Sequence, residues 1–248
     1  MNTVTFLLGL ITAIAVINQA SAIDLTLTSE ERRAVLIELY TSESCSGCPP
    51  SERWLSEFKN DAHLWKQIVP IAFHVDYWDY LGWHDPFSNA SFSRRQEDYE
   101  AHEYLQTIYT PGVMKNGREW RGWTSNGIQI ARNRDKVGML KMKMHKDEAT
   151  AEFIPDQSSR STLVLNIALL GSDLTSHVTT GENAGKVLSH DFVVLNFRQY
   201  KQKTQAGRFI WKLPGFLKRA STDASGIVLW VTNAGDPTPL QATGGWLR

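Results

Sequence analysis

The sequence predicts an α/β protein in which a mixed β-sheet is flanked by helices and followed by a mostly β C-terminal region. Three observations carry that prediction. Two short aliphatic runs, residues 34–40 (AVLIELY) and 68–75 (IVPIAFHV), have the length of buried strands and enclose a single helix-length segment. A cysteine pair, Cys45-Ser46-Gly47-Cys48, stands between the first run and that segment. From residue 140 the apolar period changes to two (LKMKMH), and the remaining apolar runs keep strand length and β-branched content.

Each element has its own warrant. Residues 1–22 carry no charged side chain, hold an apolar run over 4–17, and end in Ala20-Ser21-Ala22, a small-x-small cleavage pattern. They read as a secretory signal peptide, with an uncleaved anchor as the alternative, since no Lys or Arg precedes the run. Residues 50–60 place Trp54, Leu55 and Phe58 on one helical face, which makes the first unit β-α-β. Residues 92–105 are charged but carry Tyr99 and Leu105, and read as a helix within an insertion of about 86–108. Residues 113–121 read as a hairpin turning at Asn116-Gly117. Ser125 caps an expected helix over 126–136, with Ile128 and Ala131 inward. Strands are expected at 162–170, 191–197 and 226–232. The domain division that follows is 23–138 for the α/β part and 139–248 for the β part.

Composition narrows the function classes. In 248 residues, 26 basic side chains balance 26 acidic ones, so no net field draws the chain to nucleic acid or an anionic membrane. With 42% hydrophobic and 10% aromatic residues the chain can bury a core. After the first 22 residues no run reaches membrane-spanning length. Two cysteines exclude a multi-bridge scaffold and a four-cysteine zinc site, and in a periplasmic or secreted setting they can form a lasting disulfide.

The pair's placement gives it chemistry. C-x-x-C after a strand and before a helix, in a β-α-β unit, is a thioredoxin-like redox motif. Cys45, near the helix N-terminus, is the candidate nucleophile, and Cys48 the resolving thiol that releases the product. Pro49 and Pro50 remove N–H donors from the first turn and weaken that benefit. Thr110-Pro111 opens the hairpin strand where thioredoxin-like folds hold a cis peptide beside the disulfide, leaving Thr110 free to pair with a client peptide; the alternative is an ordinary trans proline starting an edge strand. Glu38, in the first strand, is a candidate proton acceptor for Cys48, or a glutamate paired with a surface arginine.

The aromatic segment from 74 to 85 (HVDYWDYLGWHD) should leave its strand at the carboxyl edge, near the cysteines. Trp78, Tyr80 and Trp83 are candidates for holding a client peptide. Two other readings stand beside that one: a metal site in which His74 or His84 joins the thiolates, and a packed aromatic cluster with hydrogen-bonded histidines. Met142, Met144 and His145 read as one strand with an inward face rather than a copper(I) site, and His190 and Asp191 as turn residues. Asn89-Ala90-Ser91 is a glycosylation sequon only in a eukaryotic source.

LIELYTSESCSGCPPSERWL, AFHVDYWDYLGWHDPFS, IYTPGVMKNG and GENAGKVLSHDFVV, in this order, resemble an exported thioredoxin-like family catalogued as a domain of unknown function. The resemblance spans roughly residues 35–235 and implies a thioredoxin fold with a C-terminal extension. It implies no substrate. The expected function is an exported thiol–disulfide oxidoreductase acting on protein or peptide thiols, with no organic cofactor. The alternative, from another class, is a binding module for peptide or copper with a structural disulfide.

Overall fold

The computed structural model describes residues 24–124, 135–145, 148–157, 161–203, 207–215 and 223–247. The signal peptide and the Ser125-capped helix expected from the sequence lie wholly or mostly outside the described residues.

Strand β1 (Asp24–Thr28) precedes the β-α-β unit, formed by β2 (Val35–Thr41), α1 (Cys48–Ser56) and β3 (Ile68–His74). Both strands are buried along their whole length and pair in parallel from Val35–Ile68 to Thr41–His74. Gly47 is the N-cap of α1, and Trp54 and Leu55 enter the core beside Phe58. Helix α2 (Ala90–Ala101) starts at Asn89, whose side chain accepts from the Ser91 amide. Strands β4 (Gly112–Lys115) and β5 (Arg118–Glu119) form the expected hairpin, with Asn116 and Gly117 both at positive φ, as a tight two-residue turn requires.

Downstream come β6 (Gly138–His145), β7 (Glu148–Pro155), β8 (Thr162–Gly171), β9 (Leu174–His177), β10 (Val187–His190), β11 (Val193–Lys203), β12 (Phe209–Lys212), β13 (Ala224–Asn233) and β14 (Pro239–Trp246). One sheet of eight strands, ordered β14-β13-β8-β11-β3-β2-β4-β5, takes members from both sides of residue 138. A second sheet, β1-β6-β7-β12, covers part of it.

This overturns the predicted fold class. Fourteen strands and two α-helices make the described chain mostly β, not a thioredoxin-like mixed sheet flanked by helices. The reason lies in β8 and β13. Ala168, Leu170, Val228 and Trp230 face the core shared with α1 and α2, whereas Leu165, Ile167, Leu169, Ile227 and Leu229 face a second core with Met142, Met144 and Phe153. A sheet, not a helical layer, buries that second face. Met142 and Met144 are therefore core residues, and His145 is exposed against Asp24.

The ends of the parallel pair β2/β3 set the position of the site. The bend 42–47 leaves β2, the segment 75–89 leaves β3, and the β9–β10 ribbon with its loop 178–186 joins them there.

Candidate functional site

Cys45 and Cys48 form a disulfide across the bend into α1, with Cα atoms 5.4 Å apart. Cys48 is the first residue of α1, and its amide donates to the Cys45 carbonyl (3.1 Å). Pro49 and Pro50 offer no N–H, so the first turn presents few donors to a Cys45 thiolate. Cys45 is 3% exposed and Cys48 fully buried, while Ser46 and Gly47 are exposed. The Thr110–Pro111 peptide is cis. Pro111 backs the motif closely, since a Cβ on Gly47 would lie 3.7 Å from Pro111 Cδ.

The loop between β9 and β10 grips this bend from the other side. Asn183, fully buried, donates through Nδ2 to the carbonyls of Glu43 (2.7 Å) and Cys45 (3.0 Å). The Ser46 amide donates to Glu182 Oε2 (2.9 Å), and contacts with Ser46 hold the Glu182 carboxyl below its usual range. Thr180 Oγ1 donates to the Gly82 carbonyl, which ties the same loop to the aromatic segment.

The three aromatic candidates differ in availability. Trp78 Nε1 donates to Thr110 Oγ1 (2.7 Å), bringing those two predicted residues together beside Pro111. Tyr80 is 78% exposed. Trp83, half-buried, donates through Nε1 to Glu43 Oε2 (2.6 Å). His84 is an exposed residue paired with Asp79, apart from the buried His74.

Beneath the bend lies a buried ionic cluster that the sequence reading did not assemble. Glu43, Glu52, His74, Asp85 and His190 are all buried. His190 Nδ1 contacts Glu52 Oε2, and its Nε2 lies 2.9 Å from Glu43 Oε1, an ion-pair contact without hydrogen-bond alignment. His74 Nδ1 donates to Asp85 Oδ2 (2.7 Å), which also accepts from the Glu43 amide (2.9 Å). Thr41 Oγ1 donates to Glu52 Oε1 (2.6 Å). Burial works against charge on His190, but Glu43 and Glu52 outweigh it and raise the imidazole to about 10. Burial is likewise overcome at His74, raised by Asp85 and Glu52, and at Glu52 and Asp85, lowered by their histidines.

Two sequence expectations are corrected here. His190 is a core member of this cluster rather than a turn residue, while Asp191 binds Lys59 Nζ (2.9 Å) and the Asp173 amide. Glu38 is committed to a buried network: Arg95 donates to both its oxygens (2.7 and 3.1 Å), and Tyr99 (2.5 Å) and Tyr40 (3.2 Å) also donate to it. Neither proposed partner, Cys48 or a surface arginine, is what holds it. The acid on the cysteine helix is Glu52, four residues beyond Cys48 and on the same helical face.

A signal for the cluster was present in the sequence. His74 ends an otherwise apolar buried strand, and a buried polar ring requires a partner. Glu43 and Glu52 flank the cysteine pair at close range, but nothing local links them to His190.

The family described as "Protein of unknown function (DUF1223)" matches residues 36–232. No curated protein sequence matches the chain. Among solved structures, the crystal structure of an Agrobacterium tumefaciens protein is similar at 22% identity and a TM-score of 0.65, covering 87% of this chain and 95% of that one. HBP35 of Porphyromonas gingivalis is similar at 16% identity and a TM-score of 0.61, covering 87% of this chain and 76% of that one. At these identities the likeness concerns the fold alone.

Proposed function

The chain belongs to the family of proteins of unknown function DUF1223, and from that premise we propose that it is an exported thiol–disulfide oxidoreductase working through Cys45 and Cys48. One observation carries this reading: the two cysteines are joined at a strand-to-helix bend, with Pro111 close against Gly47, one of the two residues between them. Export rests on the charge-free segment 1–22 and its Ala20-Ser21-Ala22 end.

In the reduced protein, the Cys45 thiolate attacks a client disulfide, forms a mixed disulfide and expels one client thiolate. Cys48 loses its proton and attacks Cys45 Sγ, expelling the second client thiolate and closing the Cys45–Cys48 bond. Two electrons pass to the client; the reverse sequence oxidises a client dithiol. Trp78, Thr110 and the exposed Tyr80 form the face on which the client peptide is held.

The near-complete burial of both cysteines favours a second reading, in which the disulfide is a staple in a module that binds peptide or copper. The potential of the pair, measured in glutathione or dithiothreitol buffers, separates the two. A value of about −120 to −270 mV, with partners trapped through Cys45 in Cys48→Ser, supports the oxidoreductase. A value below about −300 mV with nothing trapped overturns it.

A further inference from the structure

We propose that Glu52, His74 and His190 form a buried binding site for one divalent transition-metal ion of zinc type, with Asp85 and Glu43 orienting the two histidines. The site is distinct from the cysteine pair and does not depend on disulfide exchange.

The donor set comes first. One ligand atom from each of the three residues lies within 4.8 Å of the others, and all three residues are buried. Two imidazoles and a carboxylate suit a borderline ion such as Zn²⁺, whose open-type sites take three protein ligands and keep a fourth position for water or another small ligand. Tetrahedral coordination at about 2.0–2.2 Å puts ligand atoms about 3.3 Å apart, so closing on an ion needs only side-chain adjustment.

The second observation is an unpartnered atom. His74 is fully buried, its Nδ1 is taken by Asp85, and its Nε2 has no hydrogen-bond partner among the described residues. A buried ring nitrogen left unpaired loses its hydration without a replacement, and a metal ion is a partner that removes that cost. With Nδ1 taken, Nε2 is the His74 nitrogen available to an ion shared with Glu52 and His190.

At His74 the outer contact follows the pattern of metal-binding histidines, whose second nitrogen donates to a carboxylate, and at His190 a carboxylate lies within ion-pair distance of the second nitrogen. His74 Nδ1 meets Asp85 at 2.7 Å; with Nδ1 of His190 directed at the ion beside Glu52 Oε2, its Nε2 meets Glu43 at 2.9 Å. The carboxylates are themselves held: Glu52 Oε1 by Thr41, Glu43 Oε2 by Trp83, and Asp85 by the amides of Glu43 and Phe87. Phe87 walls the pair, with its ring centroid 5.4 Å from each imidazole. Three buried carboxyl groups around two imidazoles favour positive charge, which protons on both rings or a single dication would supply.

The test uses the chain purified without a polyhistidine tag or chelator, then equilibrated with excess Zn²⁺ and desalted. Elemental analysis is expected to give one zinc per chain, and Co²⁺ in its place a tetrahedral absorption spectrum lacking sulfur-to-cobalt charge transfer. His74→Ala and His190→Ala should lose at least tenfold of the bound metal, with circular dichroism confirming that they fold. Asp85→Asn should weaken affinity by about 10–100-fold. His145→Ala, on the far sheet, should keep the full equivalent. If a cluster variant fails to fold, the wild type decides alone: chelation should lower its Tm and zinc restore it. Substoichiometric metal in the zinc-equilibrated wild type, or metal retained by folded His74→Ala, overturns the proposal. So does loss of metal from Cys45→Ser/Cys48→Ser with the cluster intact, which would assign the ion to the thiols.

Discussion

Replacing Asn183 with alanine isolates how far the β9–β10 loop restrains the cysteine bend. Nδ2 makes two hydrogen bonds, to the carbonyls of Glu43 and Cys45, and Oδ1 accepts from Lys186 Nζ. Each buried hydrogen bond contributes about 1 kcal/mol net, so losing the two costs the closed loop about 2 kcal/mol, the Cys45 carbonyl keeping its bond from the Cys48 amide. That is roughly a 30-fold shift toward an opened loop. Because both cysteines are buried when the loop is closed, dithiothreitol attack should accelerate by about the same factor. The assay is the pseudo-first-order rate of disulfide reduction, followed by alkylation and mass shift, well below the Tm of both proteins. Thr180→Val, which frees the loop from Gly82 but not from the motif, should change the rate less. An unchanged rate in Asn183→Ala, with the loss of stability appearing in Tm, would refute the view that this loop guards the disulfide.

Other perturbations read out separate parts of the structure. Glu182→Gln removes a carboxylate from the Ser46 amide, beside the position of the Cys45 thiolate; the potential of the pair should become more oxidising, and a fall in glutathione titrations contradicts this. Arg95→Ala leaves Glu38 buried without its counter-charge and should cost about 3–5 kcal/mol in urea unfolding. Glu38→Gln should lower stability yet leave the redox potential unchanged, and a shifted potential would return Glu38 to a role in the thiol chemistry. Gly244→Ala places a methyl 2.5 Å from Trp65 Cε3 and 3.0 Å from the Ile227 carbonyl, and should destabilise by about 1–3 kcal/mol; an unchanged Tm contradicts the tight packing of β14 on β13.

The parts legible in the sequence were those encoded within a few residues. Aliphatic runs gave β2, β3, β8, β11 and β13, helical spacing of Trp54 and Phe58 gave α1, and Asn116-Gly117 gave the hairpin. Strand order was not legible, because β11 reaches β3 through long-range pairing at Val193 and Ala72 that no local pattern encodes. Strand β14 hid for a different reason: Gly244 and Gly245 are small because Trp65 and Leu27 press on them, which erases the alternation that marks a strand. The fold class failed on the same long-range information, since an apolar strand face looks alike whether a helix or a second sheet will cover it.

The candidate site shows why the C-terminal strands belong in any account of the cysteines. A β-α-β unit by itself supplies the disulfide, Glu52 and His74, two charged groups buried with no mutual hydrogen bond. The carboxylate of Asp85 steadies His74, but Glu52 gains its imidazole only when β10 delivers His190, and Asn183 of the preceding loop brings a donor to the Glu43 carbonyl and a second one to the Cys45 carbonyl, which already accepts from the Cys48 amide. Uncompensated buried charge is costly enough that the bend 42–47 and the end of β10 are expected to be ordered together. A chain ending before β9 would then lose the bend's order even with β2, α1 and β3 intact. The ribbon β9–β10 is thus one half of the site, and substitutions in residues 178–191 should act on the cysteines as strongly as substitutions in the bend itself.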